Sequence, residues 1–238
     1  MKHYIYCQEP MWNRMGGVVG YLSHLYSGMS SIGRFEGRTG VQHRFVFPTS
    51  VLPNRHCAEL DPSAIHPSPF NYKLDARTPY IARKLKMFSE VPAMESMLKF
   101  SVHQMASVHI HGHYNFIPIY NFLRVCGLEE QVVKVLTTHN PIKPSLEDEV
   151  YDGGRTKASE LEDFRFFHNY RDEFAFTKAD ALLFPCEEAM EPYFQTWPRF
   201  AEIIKDKPVY FSTTGALKSD VVTPRNVLRR ELNIPEDA

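Results

Sequence analysis

No excess of charge of one sign marks this sequence: its 238 residues carry 27 lysines and arginines against 28 aspartates and glutamates. So even a balance offers no general electrostatic attraction for nucleic acid or for an anionic membrane surface. No apolar run approaches the roughly 18 to 20 residues needed to cross a bilayer. Met1–Cys7 is too short and too polar for a signal peptide, so the expected compartment is the cytoplasm. Cysteine is scarce and unpatterned, because Cys7, Cys57, Cys126 and Cys186 form neither a CxxC pair nor a zinc-ribbon spacing. They read as buried thiols of a reducing compartment. Glycine never assembles the GxGxxG dinucleotide fingerprint. Internal repeats and low-complexity tracts are absent as well.

What is present is a soluble globular composition, 43% hydrophobic and 23% charged, with enough residues for a substantial buried core. Short apolar runs alternate with amphipathic segments, the pattern of βαβ units around a parallel sheet. His3–Cys7 reads as a first strand, followed by a glycine-bearing turn and a helix over Val18–Met29, whose Val18, Val19, Leu22, Leu25, Tyr26 and Met29 keep helical spacing. Val41–Pro48 reads as a second strand. Leu52–Pro79, rich in Pro, Asn, Asp and His, reads as a long excursion. One or two helices over Tyr80–Met105 lead into a strand around His109, and Phe116–Val125 reads as helix. Gln131–Thr138 is a β-rich run. Ser159–Lys178 reads as a helix with a buried aromatic stripe of Leu161, Phe164, Phe167, Tyr170, Phe174 and Phe176. Ala179–Pro185 and Val209–Ser212 read as strands, with a helix over Glu187–Trp197 between them. The expected architecture is a single Rossmann-like, doubly wound α/β domain over residues 1–222, with a mainly parallel sheet and helices on both faces. Residues 223–238 read as a linker.

Chemistry concentrates at strand ends. Ser107-Val108-His109-Ile110-His111-Gly112-His113 delivers three histidines at alternate positions, which in extended backbone share one face. In an open α/β sheet the carboxyl end of such a strand borders the ligand crevice. Imidazoles at this spacing bind zinc or iron when a carboxylate completes the shell. The nearest acids in sequence, Glu95 and Glu129, are distant, so no metal is expected. Met15-Gly16-Gly17-Val18 lies between the first strand and the first helix, where backbone amides at a helix N-terminus can receive a phosphate, and Arg14 beside it would supply a cation. Thr138-His139-Asn140 is a second polar strand end. Glu147, Asp148, Glu149 and Asp152, with Lys143, Arg155 and Lys157, read as a mobile mixed-charge loop.

In combination these motifs resemble family 4 of the retaining GT-B glycosyltransferases. The resemblance is carried by Gly16-Gly17 after the first strand, His109-Ile110-His111-Gly112 ahead of Asn115-Phe116, Thr138-His139-Asn140, and Ala179–Phe184 followed by Glu187-Glu188. Leu228–Ala238 is similar to the segment that, in that family, precedes the first strand of a second Rossmann-like domain. The resemblance implies an N-terminal, acceptor-binding domain whose partner domain binds a nucleotide-sugar donor, with reaction in the cleft between them and without metal or other cofactor. It implies that Gly16 and Gly17 approach the donor phosphates. His111 would contact the transferred sugar, with His113 as its neighbour or substitute, and His139 and Asn140 would line a second, acceptor-side cleft edge. The acceptor would be a sugar, a lipid-linked sugar or a small molecule.

Two departures weigh against activity of this chain alone. The carboxylate pair of the donor domain is missing together with that domain, and Ser212–Asp220 lacks an asparagine-glycine turn. The expectation is therefore no sugar transfer by the 238-residue chain unless a C-terminal domain or partner subunit completes it. Two copies could also pair through an uncovered cleft wall. The rival expectations are a non-catalytic carbohydrate- or partner-binding protein that kept the fold, and a metal-dependent hydrolase built on the histidines.

Overall fold

The structure, a computed structural model, describes residues 2–7, 17–31, 42–47, 65–67, 105–212 and 227. Among the described residues seven strands form one sheet: β1 (Lys2–Cys7), β2 (Gln42–Phe47), β3 (Ile65–Pro67), β4 (Met105–His111), β5 (Val133–Thr137), β6 (Ala181–Phe184) and β7 (Val209–Phe211). Their order is β3-β2-β1-β4-β5-β6-β7, and every pairing is parallel. The chain builds outward from β1 to β3 and then returns to place β4 on the other side of β1. That reversal makes a topological switch point between the carboxyl ends of β1 and β4, where Cys7 stands opposite His111 and His111 opposite Thr137.

The helices are α1 (Gly17–Ser31), α2 (Phe116–Val125), α3 (Pro144–Asp152), α4 (Leu161–Lys178), α5 (Glu191–Thr196) and α6 (Phe200–Ile204). Strand alternation sends Tyr4, Val108, Ile110, Leu136, Leu182 and Phe184 into a core shared with Phe116, Ile119, Phe122 and Leu123 of α2 and Ala175 and Phe176 of α4. Tyr193, Trp197 and Phe200 close this core against Phe176 with rings 5.3 to 6.0 Å apart. The other face lies against α1, whose Tyr21 ring sits 5.4 Å from His111 and 5.5 Å from His139. Helices thus cover both faces, as the alternating pattern predicts.

Several expectations change. Ile65–Pro67, inside the expected excursion, is an edge strand; three residues give too short a pattern to read, and a terminal proline is tolerated at a sheet edge. The mixed-charge stretch is not a mobile loop, because Pro144–Asp152 is helix α3, opened by Pro144 and closed at Gly153 with φ 56°. Within α4 the buried positions are Phe164, Phe167, His168, Arg171, Asp172, Ala175 and Phe176, a strict i, i+3, i+4 stripe. Tyr170 of the expected aromatic stripe is instead 49% exposed, and three polar residues occupy the middle of the buried face. Cys126 and Cys186 are free and only half-buried. Residues 52–64 and 68–79 of the excursion, the helices expected over 80–104, and the linker 223–238 apart from Val227 lie outside the described residues.

Candidate functional site at the switch point

The carboxyl end of β4 does not present its three histidines on one face. His109 and His111 belong to the strand, and their rings lie side by side with centroids 4.3 Å apart. Gly112 then adopts φ 85° and ψ 131°, a backbone conformation that a side chain would strain. After that turn His113 begins a short 3-10 segment and faces α3 and α4. A single glycine therefore separates two polar sites.

The first site is a row of imidazoles under α1. His43 and His3 meet edge to face at 5.3 Å, and His3 lies 5.9 Å from His109. The Nδ1 of His3 is 2.5 Å from the Ser107 hydroxyl, and the Nε2 of His109 bonds the Thr137 hydroxyl. His111 Nδ1 lies 3.1 Å from His139 Nε2, with the two ring planes inclined by 24° and their centroids 5.4 Å apart. Burial disfavours the imidazolium form throughout the row. It lowers His3 and His139 to about 4 and His109 to about 3, and holds His111 well below its ordinary value; the neighbouring histidines add to the effect on His3, His109 and His111. These rings are neutral at pH 7. His111 itself is only 2% exposed, with the Tyr21 ring 5.4 Å from it.

The second site is a buried charge network. His113 Nε2 lies 3.7 Å from Asp172 Oδ1 and 4.0 Å from Asp148 Oδ2. Asp148 also binds His168 at 2.7 Å and Arg171 at 2.5 Å, and Arg171 lies 3.3 Å from Asp172. The other oxygen of Asp172 accepts the Ser145 backbone N–H at 2.6 Å, supplying the N-terminal cap that Lys143 cannot give α3. Burial pushes the Asp148 carboxyl up, but His168 and Arg171 outweigh it and hold the acid well below its usual range. Burial raises Asp172 in spite of Arg171 and Ser145. For His113, burial and Arg171 outweigh Asp148 and Asn140 and keep the ring neutral.

In this second site Asp148 and Asp172, both distant in sequence, approach His113. The Arg171 guanidinium is the cation that pairs with both carboxylates. Among the described residues no group of three or more metal-ligating side chains is arranged to hold an ion. Asp148, His168, Arg171 and Asp172 were not legible as site residues. The signal that could have found three of them was the i+3, i+4 rule counted strictly from Phe164.

At the end of β5, the hydroxyl of Tyr193 lies 2.5 Å from Thr138 Oγ1 and donates to the Asn140 carbonyl at 3.0 Å. The Asn140 amide donates to Glu147 at 2.5 Å. His139 and Asn140 therefore sit at the switch-point edge, held by their neighbours. Gly17 opens α1, and Tyr21, one turn on, places that end of the helix over the ends of β4 and β5. Arg14 and Gly16 lie outside the described residues.

The fold matches the N-terminal half of GT-B glycosyltransferases. UGT2 of Phytolacca americana, solved with UDP-2fluoro-glucose and pterostilbene, superposes with a TM-score of 0.55 at 11% identity over 92% of this chain and 55% of its own. A UDP-glucosyltransferase from Polygonum tinctorium capable of glucosylating indoxyl, solved with 3,4-dichloroaniline, gives a TM-score of 0.53 at 11% identity over 96% of this chain and 56% of its own. The chain thus spans a little over half the length of these structures. No family model and no curated protein matches the sequence. Among the described residues no helix is long and apolar enough to cross a membrane.

Proposed function

We propose that the chain is the acceptor-side half of a glycosyltransferase that moves a sugar from a nucleotide-sugar donor with retention of configuration, as in family 4. The observation that carries this reading is the β1/β4 switch point, where a strand-end histidine and the first turn of α1 meet at one sheet edge in a fold shared with sugar-transferring enzymes. Glycosyl transfer must stabilise a departing diphosphate and a cationic sugar. Amide donors at the start of α1, with Gly16, Gly17 and Arg14, suit the diphosphate. His111 hydrogen-bonds the sugar. His113, enclosed by the charge network, supports the turn instead of touching the ligand. The strand end bearing His139 and Asn140 forms the acceptor side of the crevice. No metal or other cofactor takes part, and a second α/β domain or subunit supplies the donor site.

Saturation-transfer difference NMR on the 238-residue chain, with panels of saccharides, phenolic aglycones and nucleotide-sugars, tests this reading. At least one acceptor class should bind, and His111→Ala should weaken it. Absence of binding to every member of the panels would remove the reading. When a donor domain is supplied, a product of inverted anomeric configuration would remove its retaining part.

A further inference from the structure

We propose that His139 is a positioning residue that locks His111 in a single tautomer through a hydrogen bond in which one ring donates and the other accepts. The proposal rests on the reading in which His111 contacts the sugar, and it assigns the imidazole of His139 to His111 instead of to the acceptor.

The geometry is specific. His111 Nδ1 and His139 Nε2 are 3.1 Å apart, within hydrogen-bond reach, and the rings are inclined by only 24°. A neutral imidazole has one N–H and one bare nitrogen, so the bond admits one donor and one acceptor. Whichever state Nδ1 of His111 takes, its Nε2 must take the other. The character His111 offers at its second nitrogen is therefore tied to the state of His139 Nε2.

The segment around His139 is held on both sides. Thr137 is bound by His109 and Thr138 by Tyr193. The Asn140 carbonyl accepts from Tyr193, and its side-chain amide is bound by Glu147. Tyr21 packs against both rings of the pair. With the backbone on either side bonded and Tyr21 against both rings, the His139 imidazole is held beside His111. Pinning of this kind is what holds a functional side chain to its productive geometry.

The test is long-range 1H–15N correlation of the histidine rings in the whole chain at neutral pH, without donor or acceptor, for the native protein, His139→Phe and His139→Gln. The native spectrum should show His111 in one tautomer, with the protonated nitrogen of one ring matched by a bare nitrogen on the other. His139→Phe keeps a ring but has no nitrogen, so both His111 signals should move toward the average of the protonated and bare positions. His139→Gln can again donate or accept and should restore a single tautomer. A mixed tautomer in the native chain, or His111 signals unchanged in His139→Phe, would overturn the proposal. If His139→Phe does not fold, the native spectrum and the Gln variant still decide. None of these spectra depends on sugar transfer, so failure of the proposed function would leave them intact.

Discussion

Two histidines on either side of one glycine live in opposite kinds of polar surroundings. On the α1 face, His3, His109, His111 and His139 are neutral rings that each bond another ring or a nearby hydroxyl through one nitrogen. On the α3–α4 face, His113 sits among Asp148, Arg171, Asp172 and His168, where full charges balance one another. The first arrangement is built to stay neutral and can exchange a hydrogen bond with an uncharged hydroxyl. The second is built to hold, because each buried charge has a partner whose loss leaves it stranded. On the proposed function, ligand contact falls to the His111 side and rigidity to the His113 side.

The largest expected effect comes from stranding charge. Arg171→Met should cost about 3 to 5 kcal/mol in urea unfolding, since Asp148 and Asp172 lose their common cation. A loss below about 1 kcal/mol would mean that the network is solvated, and the contrast between the faces would fail.

Acid should separate the two sides next. Histidines whose folded values are depressed stabilise the protein while the unfolded chain is also neutral, above 6.5, and that contribution is lost as pH falls toward the folded values of about 4 for His3 and His139 and about 3 for His109. Each ring adds up to about 1.4 kcal/mol per pH unit to the slope. His113 acts with the same sign. Asp148, held below its ordinary 3.8, loses its contribution only at lower pH, and Asp172, raised, acts in the opposite sense. Thermal unfolding from pH 7 to 4 should therefore show a steep decline beginning near 6.5. A flat profile down to pH 4 would show that the imidazole row is charged or solvated.

Gly112→Ala tests the hinge between the two environments and should cost about 1 to 3 kcal/mol, because φ 85° is retained only under strain. If stability is unchanged, the turn that sends His113 to the other face is not what the glycine provides. The smallest effect is expected for Tyr193→Phe, about 1 kcal/mol for the lost hydroxyl bonds to Thr138 and Asn140. Its sharper readout is the His111–His139 pair, whose ring signals should broaden while those of His113 stay in place.

Much of this architecture was readable where the pattern is local. The strand at residues 3 to 7, the helix at residues 18 to 29, the helix Phe116–Val125 and the apolar β-runs near Val135 and Leu182 follow periodicity, and the structure places elements there. The candidate site was readable as far as strand ends are readable, through His111 and the Thr138–Asn140 edge. Helix α3 was hidden because its charges look solvated until Arg171 and His168, some twenty residues on, are brought against Asp148. The polar centre of α4 was hidden because aromatic residues draw the eye from the stricter spacing that includes His168, Arg171 and Asp172. Strand β3 is only three residues long and exists by pairing with β2.

By itself the sequence determined most of the segments that are extended or helical, α3 and β3 excepted, and that histidines stand at the end of a central strand, because those properties depend on neighbours within a few residues. Only the tertiary structure decided which face each histidine serves. Strand order brought His139 beside His111, and one positive φ at Gly112 carried His113 to the charges of α3 and α4. Burial and pairing are properties of elements far apart in the chain, and they keep His3, His109, His111, His113 and His139 neutral.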